Sequence, residues 1–240
     1  MERLDKIISA QSTFSRKEAR NLIRDGSVSV NGKVVESPDA MFNPDKDKLS
    51  LFDRPVRVRR FLYIMLNKPA GILSAAKDAC TKTVVDLLPP SLYRRSLFPA
   101  GRLDKDTTGF VLITDDGDFA HRILSPKSKV YKTYEARLKR PLDEGACAAI
   151  ADGITLADGT EYMPARVEVI KEQAQPLVRI QIMEGKYHQI KRMFAALNNE
   201  VISLKRTHIG GLKLDETLCE GECRELTAEE RASLLKNLSA

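Results

Sequence analysis

The sequence lacks several features that would assign a protein to a class at first sight. It has no tryptophan, and no apolar run approaches the roughly 18 residues that cross a bilayer. Its first residues contain no apolar segment of the kind found in a secretory signal peptide. Its cysteines lack the paired spacing of a zinc site: Cys80, Cys147, Cys219 and Cys223. We therefore expect a cytoplasmic protein with reduced thiols and no membrane contact.

Motifs for cofactors, metals and nucleophilic triads are also missing. There is no Walker loop, no G-x-G-x-x-G after a predicted strand and no acidic metal-binding loop. The three histidines, His121, His188 and His208, lie far apart, and no G-x-S-x-G elbow accompanies them. We therefore expect that the protein needs neither a cofactor nor a metal ion.

The charge balance is mildly basic. The chain has 240 residues, with 39 Lys and Arg against 33 Asp and Glu, so its net charge of +6 permits a polyanionic partner without requiring one. This length suits one large domain or two smaller ones, and it can bury a core without disulfides.

Residues 1–58 are predicted to form a small module with its linker. Ser15 and Glu18 fit a capping box, Gly26 ends the helix, and Asn31-Gly32 predicts a tight hairpin turn between valine-rich strands. One face of the helix is basic: Arg16, Lys17, Arg20 and Arg24. This pattern resembles the αL RNA-binding module first known from a small-subunit ribosomal protein, which implies phosphate contacts. The charged, proline-containing tract 36–58 indicates the module's edge and a linker.

Residues 59–240 are predicted to form one α+β domain. The predicted strands are 61–66, 110–114, 131–138, 167–170, 178–183 and 201–206, and the predicted helices are 118–124, 144–151, 187–197 and 227–238. Thr227 and Glu230 fit a second capping box.

The residues with the clearest chemical potential lie in residues 101–109, G-R-L-D-K-D-T-T-G. Asp104 is flanked by Arg102 and Lys105, so cations beside it favour an ionised carboxylate. The alternative, an Asp that only stabilises a turn between glycines, is common. Tyr134 is likewise consistent with an ordinary half-buried strand tyrosine.

Three further motifs favour the functional interpretation. They are N-K-P-A-G at 67–71, K-T-Y at 132–134 and E-G-K-Y-H-Q-I-K-R-M at 184–193. Together with residues 101–109, and in this order, they resemble the pseudouridine synthases of the RsuA family. The resemblance implies a catalytic domain with a mixed, mainly antiparallel β-sheet flanked by helices. It also implies an RNA isomerase that converts uridine to pseudouridine without a cofactor.

The resemblance implies roles for single residues. Asp104 is the expected catalytic carboxylate, Tyr134 packs against the target base, and Lys191 forms a buried ion pair with Asp104. The expected contacts with RNA or the base come from Arg102, Arg192, His188 and Ile182, with Ile180 as an alternative to Ile182. A basic helix face touching phosphates is an equally good account of Arg192, and His188 is expected to bind or orient rather than to catalyse.

Two segments of the sequence indicate which ribosomal RNA is the expected substrate. Residues 187–196 and R-x-x-I-G-G at 206–211 are most similar to the branch that acts on small-subunit (16S) ribosomal RNA. We therefore expect a monomer that acts on 16S rRNA or on an assembling ribosomal particle. The alternatives are an enzyme for large-subunit rRNA, a nucleoside hydrolase, and a non-catalytic rRNA-binding assembly factor.

Overall fold

The computed structural model describes residues 1–44, 46–56 and 58–236. The chain divides into two compact units. The first comprises Met1–Leu62 and Pro89–Leu97, and the second comprises Tyr63–Leu88 and Phe98–Ala240. Within the described ranges, no helix is long and apolar enough to cross a membrane.

The first unit packs two helices against short strands. Its elements are β1 (Glu2–Arg3), α1 (Leu4–Gln11), α2 (Arg16–Arg24), β2 (Val28–Val30), β3 (Lys33–Val34), β4 (Met41–Phe42), β5 (Leu49–Leu51) and β6 (Arg54–Val56). β1 pairs with β4, and an antiparallel sheet has the strand order β3-β2-β5-β6. Apolar side chains of both helices and the strands form one core, including Leu4, Ile8, Ile23, Val28 and Phe42.

The local signals of this unit are confirmed. The Ser15 hydroxyl accepts from the Glu18 amide, and the Glu18 carboxylate accepts from the Ser15 amide, so the capping box is complete. Asn31 and Gly32 both have positive φ angles, as the tight turn of the β2–β3 hairpin requires.

The tract 36–58 is not a simple linker, which corrects our expectation. Leu49 and Leu51 are buried, and their strand pairs with β2, so this stretch completes the module's sheet. The apolar alternation is only three residues long, and neighbouring prolines and charges conceal it in the sequence. α1 was also not predicted, and Pro89–Leu97 belongs to this unit through contacts such as that of Arg94, whose Nη2 donates to Gln11 Oε1 at 2.7 Å.

The second unit is built on a large mixed sheet. Its strands are β7 (Tyr63–Lys68), β8 (Phe98–Pro99), β9 (Thr108–Thr114), β10 (Lys132–Leu138), β11 (Ile154–Thr155), β12 (Glu161–Tyr162), β13 (Arg166–Lys171), β14 (Leu177–Ile182), β15 (Val201–Ile209), β16 (Leu212–Lys213) and β17 (Cys223–Glu225). Its helices are α3 (Gly117–Leu124), α4 (Ala146–Asp152), α5 (Gln189–Ala196) and α6 (Ala228–Ser233). The central strand order is β13-β14-β10-β15-β9-β7-β17; β15–β9 is parallel, and the other pairs are antiparallel.

The predicted strands and helices of this unit are found, with shifted bounds. β7 runs two residues past its predicted end, so Asn67 and Lys68 lie in a fully buried strand rather than in a turn. α5 begins at Gln189 rather than at residue 187, because His188 has a left-handed backbone with φ of 47°. α6 has its predicted capping box but ends at Ser233, and residues 237–238 of its predicted extent lie outside the described residues.

Strand register determines which side chains share a face of the sheet. Tyr134 of β10 lies opposite Ile180 of β14 and Arg206 of β15. Because side chains alternate along a strand, Thr133 and Glu135 lie on the opposite face. The candidate site is on the face of Tyr134.

Candidate active site

The loop that carries Asp104 is held by a buried lysine. Lys68, at the end of β7, is fully buried, and its Nζ donates to the carbonyl oxygens of Pro69 at 3.0 Å, Lys105 at 3.1 Å and Thr107 at 2.8 Å. The Leu103 amide donates to the Ser74 hydroxyl at 3.1 Å. The loop therefore has fixed supports on both sides of Asp104.

Lys68 has an unusual electrostatic environment. Burial lowers the pKa of its ammonium group to about 8, while the nearby charges of Asp106 and Asp104 act in the opposite direction. At neutral pH it is therefore a cation under the loop, stabilised by carbonyl dipoles.

Gly109 fixes where this loop enters the sheet. Its φ is +97°, and a Cβ atom there would lie 2.3 Å from the Arg206 carbonyl oxygen. Only glycine permits β9 and β15 to approach so closely at this point.

Lys191, in the first turn of α5, contacts two carboxylates. Its Nζ lies 2.7 and 2.8 Å from the two oxygens of Asp106 and 3.4 Å from Asp104 Oδ2. We expected a buried pair of Lys191 with Asp104 alone. Instead both side chains are 26% exposed, and the shorter contacts go to Asp106, which the sequence analysis did not single out.

This arrangement keeps Lys191 charged. Burial lowers its pKa, but the hydrogen bond to Asp106 and the charge of Asp104 outweigh this and leave the pKa above its ordinary value. The same hydrogen bond lowers the pKa of Asp106. A permanent cation therefore lies between two carboxylates.

Tyr134 is held by Arg206, which is also buried. Arg206 Nη1 donates to the Tyr134 hydroxyl at 3.4 Å, and Nε donates to the Phe110 carbonyl at 2.7 Å. Its guanidinium carbon lies 5.9 Å from the centre of the Tyr134 ring. One side chain thus connects the tyrosine to β9, the strand that follows the Asp104 loop.

These groups meet at a narrow pocket of about 60 Å³. Tyr134, Ile182 and Leu204 contribute buried apolar surface, and Asp104 and Lys191 contribute charge. The pocket combines a flat aromatic ring with an accessible carboxylate.

Other residues that the sequence analysis selected have differing positions. His188 lines the pocket, and its Nε2 lies 3.6 Å from Asp104 Oδ1, beyond hydrogen-bond distance. Arg102 also lines the pocket and is exposed, whereas Arg192 forms an ion pair with Asp158. Ile180 is buried at the register position opposite Tyr134 but does not line the pocket.

The basic residues of α2 belong to the first unit and differ in environment. Lys17 and Arg24 are exposed and Arg20 is half-buried, so they form a solvated basic face. Arg16 Nε instead donates to Asp5 at 3.3 Å. Although burial raises the pKa of Asp5, hydrogen bonds from Arg3 and Arg16 lower it below its usual value.

Lys68, Asp106 and Arg206 have no role predicted from the sequence. All three occur inside the motifs quoted above, so their positions were visible. The contacts that give them roles were not, because the bonds of Lys68 to Lys105, Lys191 to Asp106 and Arg206 to Tyr134 each join residues at least 37 positions apart in the chain.

A larger cavity, of about 790 Å³, lies on the opposite face of the sheet. Its lining includes Thr133, Glu135, Arg179 and Lys205, and Glu135 lies opposite the cations Arg179 and Lys205 on its two neighbouring strands. This is the usual character of a solvated sheet face. Among the described residues, no group of three or more His, Cys, Asp or Glu side chains could hold a metal ion.

Two protein-family models match the chain. The model described as RNA pseudouridylate synthase matches residues 62–196, and the model described as S4 domain matches residues 2–45. The first match covers more than half of the sequence and contains Asp104, Tyr134 and Lys191.

Full-length relatives and a solved structure are also similar. The chain is 43% identical to the "uncharacterized RNA pseudouridine synthase YtzG" of Bacillus subtilis (strain 168), over 95% of this chain and 96% of that protein. It is 43% identical to the ribosomal small subunit pseudouridine synthase A of Vibrio cholerae, over 98% of this chain and all of that protein. A crystal structure of a pseudouridylate synthase superposes with a TM-score of 0.68 at 40% identity, covering 98% of this chain and 100% of that chain.

Proposed function

Because this chain belongs to the RNA pseudouridylate synthase family, we propose that it converts a uridine of small-subunit (16S) ribosomal RNA to pseudouridine, with Asp104 as its essential carboxylate and no cofactor. The observation that carries the proposal is the pocket in which Asp104 and Lys191 lie beside the ring of Tyr134. The 16S target rests on the relatives named small subunit pseudouridine synthase.

The proposed reaction is an isomerisation within one nucleotide. The N1–C1′ bond breaks, the uracil turns, and a C5–C1′ bond forms while C5 loses a proton and N1 gains one. No electrons are exchanged and no group is carried in or out. The protein's work is to extrude the base, stabilise charge and retain the detached uracil.

We assign roles by position. The Asp104 carboxylate acts on the nucleoside, and the Lys191 ammonium, 3.4 Å away, orients it. The Tyr134 ring, with Ile182 and Leu204 beside it, provides an apolar surface for the uracil. The exposed side chain of Arg102, which also lines the pocket, supplies a cation for the RNA phosphates next to the target uridine.

RNA affinity is proposed to come largely from the first unit. The exposed cations of α2 suit phosphate contacts that position the RNA without reading its sequence. Extrusion of a base costs less from a loop or bulge than from a duplex, so we expect an unpaired target uridine.

Tritium release from uridine C5 tests the proposal directly. With C5-tritiated 16S rRNA, the wild type should release tritium and the Asp104→Asn variant should lose at least about 10³-fold in rate, because the amide cannot supply the carboxylate's charge. Asp115→Asn, which changes an Asp outside the pocket, is the matched control and should retain the wild-type rate.

Both naked 16S rRNA and partly assembled particles should be tried. Tritium release only from large-subunit rRNA would show that the proposed reaction is right and that the proposed 16S target is wrong. Tight rRNA binding without release from any RNA would favour an assembly factor, and free uracil as the product would indicate a hydrolase.

A further inference from the structure

Tyr187 is a large aromatic side chain left in solvent beside the candidate site. It is 75% exposed, more than the other large apolar side chains of the described residues except Met1. Its ring stacks on the His188 ring, with centroids 3.8 Å apart and planes at 17°. Two parallel rings therefore form one flat unit whose outer face is open.

The loop that carries these rings is held in place from below. Gln189 Nε2 donates to Glu184 Oε1 at 3.0 Å, and Gln189 Oε1 accepts from the Lys186 amide at 3.1 Å. The Met163 amide also donates to Glu184 Oε1, at 2.9 Å. Glu184 and Gln189 are both buried, so the loop between them is clamped at its two ends.

The backbone at His188 is itself in an uncommon state. Its φ of 47° and ψ of 32° lie in the left-handed region, which few non-glycine residues adopt and which histidine adopts more often than most. This conformation turns the chain before α5 begins, with His188 at the pocket and Tyr187 beside it.

The order of groups outward from the pocket is Asp104, His188, Tyr187. His188 lines the pocket with Asp104, whereas Tyr187 does not line it. A uracil in contact with Tyr134 therefore cannot also cover the outer face of Tyr187. A second base can, if it belongs to a nucleotide next to the extruded one.

We propose that the stacked rings of Tyr187 and His188 form a platform that binds an unpaired base flanking the target uridine. This rests on the proposed function, because it takes RNA with an extruded uridine as the substrate. Every nucleobase has a flat π face, and stacking on an aromatic side chain is a general means of holding single-stranded RNA. Arg102, which is exposed and lines the pocket beside His188, supplies a cation for the phosphates of that strand.

The test is a double-mutant cycle in which the Tyr187 ring, the flanking base, or both are removed. Wild type, Tyr187→Ala and Tyr187→Phe are compared on a 16S rRNA fragment containing the target uridine. They are also compared on two further versions of this fragment, one with an abasic nucleotide on the 5′ side of the target and one with it on the 3′ side. Tyr187→Ala should weaken RNA binding and raise KM by about 5- to 100-fold. The rate at saturating RNA should change less than about twofold, because the reacting groups are untouched. Tyr187→Phe should behave as the wild type.

The abasic RNA identifies the partner of the ring. On one of the two abasic fragments, RNA binding by the wild type should weaken by the same factor. Binding by Tyr187→Ala to that fragment should weaken no further. In a fragment with 2-aminopurine at that position, wild type and Tyr187→Phe should quench its fluorescence, and Tyr187→Ala should not.

Ile202→Ala is the matched control, since it removes another exposed apolar side chain of the second unit. It should leave binding unchanged. The platform would be overturned if Tyr187→Ala and the wild type bound the RNA with equal affinity. It would also be overturned if the affinity lost through Tyr187→Ala and the affinity lost through the abasic nucleotide were additive on both abasic fragments. If the losses of affinity were non-additive on one abasic fragment but the wild type formed no pseudouridine, the platform would stand and the proposed function would be overturned.

Discussion

At the scale of single residues, buried cations without a carboxylate partner are the distinctive feature of the site. Among the described residues, Lys68, Lys132 and Arg206 are each at most 5% exposed, and none of the ion pairs found includes them. They donate instead to carbonyl oxygens, and Arg206 donates also to the hydroxyl of Tyr134. Buried charge of one sign is costly. Lys68 lies near enough to Asp104 and Asp106 for their charges to favour its protonated form, and we propose that it stabilises negative charge at the site.

Arg206 should act through Tyr134. Lysine at this position keeps the charge but cannot reach both the Phe110 carbonyl and the tyrosine hydroxyl, because it lacks the planar fork of arginine. We expect Arg206→Lys to lower kcat about tenfold, equal to about 1.4 kcal/mol of barrier, with a smaller change in KM. Single-turnover tritium release measures it.

Arg179→Lys is the control for this substitution, since Arg179 pairs with Glu168 on the opposite face of the sheet. It should leave kcat unchanged. Equal kcat for Arg206→Lys and wild type would show that the Tyr134 hydroxyl needs no partner.

At the scale of elements, the junctions of strands, helices and loops determine the site. Lys132, at the start of β10, donates from Nζ to the Ile123 carbonyl at 2.7 Å, in the last turn of α3. A cation at a helix C-terminus satisfies a free carbonyl and interacts favourably with the helix dipole. Lys132 therefore fixes α3 against the edge of the pocket-facing strand.

Lys132 should give stability a specific pH dependence. Burial and the charge of Arg206 lower its pKa to about 8 in the folded protein, from 10.5. Between these values the unfolded chain holds a proton that the folded chain has released, so the wild type gains stability as pH rises. Relative to Lys132→Met, it should gain on the order of 3 kcal/mol from pH 7 to pH 10.5.

Urea unfolding of both proteins at several pH values measures this difference. A difference in unfolding free energy that stays constant over the whole interval would contradict the lowered pKa of Lys132. Lys139→Met, a change at an exposed lysine, is the control and should show no such trend.

The close approach of β9 and β15 should not tolerate a side chain. Gly109→Ala puts a Cβ against the Arg206 carbonyl at a positive φ, so we expect a loss of about 1–3 kcal/mol from backbone strain alone, and reduced activity. Gly117→Ala, at an open position without a positive φ, should change stability by less than about 1 kcal/mol. Thermal and urea unfolding measure the stabilities of the two variants. Equal stabilities of Gly109→Ala and Gly117→Ala would contradict the close approach of β9 and β15.

At the scale of the whole molecule, we propose that the two units divide RNA affinity and chemistry between them. Removal of residues 1–58 is a poor test of this, because Gln11 and Arg94 are hydrogen-bonded within one unit. Substitutions on the exposed face of α2 leave that unit intact.

The variant Lys17→Ala/Arg20→Ala/Arg24→Ala should bind RNA more weakly and with a smaller salt dependence. Each lost phosphate contact lowers the slope of log K against log salt by about 0.7–0.9, so three give a change of about 2–3. The rate at saturating RNA should stay near that of the wild type. The charge-conserving Lys17→Arg/Arg20→Lys/Arg24→Lys variant should keep the slope, and an unchanged slope in the alanine variant would remove α2 from the RNA interface.

The sequence by itself determined the family, the fold class and most elements of this protein. Capping boxes, the Asn31-Gly32 turn and the buried strands are local signals, and motif order carries the family resemblance. Interactions within about four residues decide such features, so the sequence displays them directly. Strand β5 was missed because its alternation is only three residues long.

Only the tertiary structure decided which groups of the site meet. Lys191 contacts Asp106 85 residues away, Arg206 reaches Tyr134 across paired strands, and Lys68 supports the loop from a neighbouring strand. These contacts depend on strand register and helix placement, which the whole core sets, and no local pattern in the sequence encodes them.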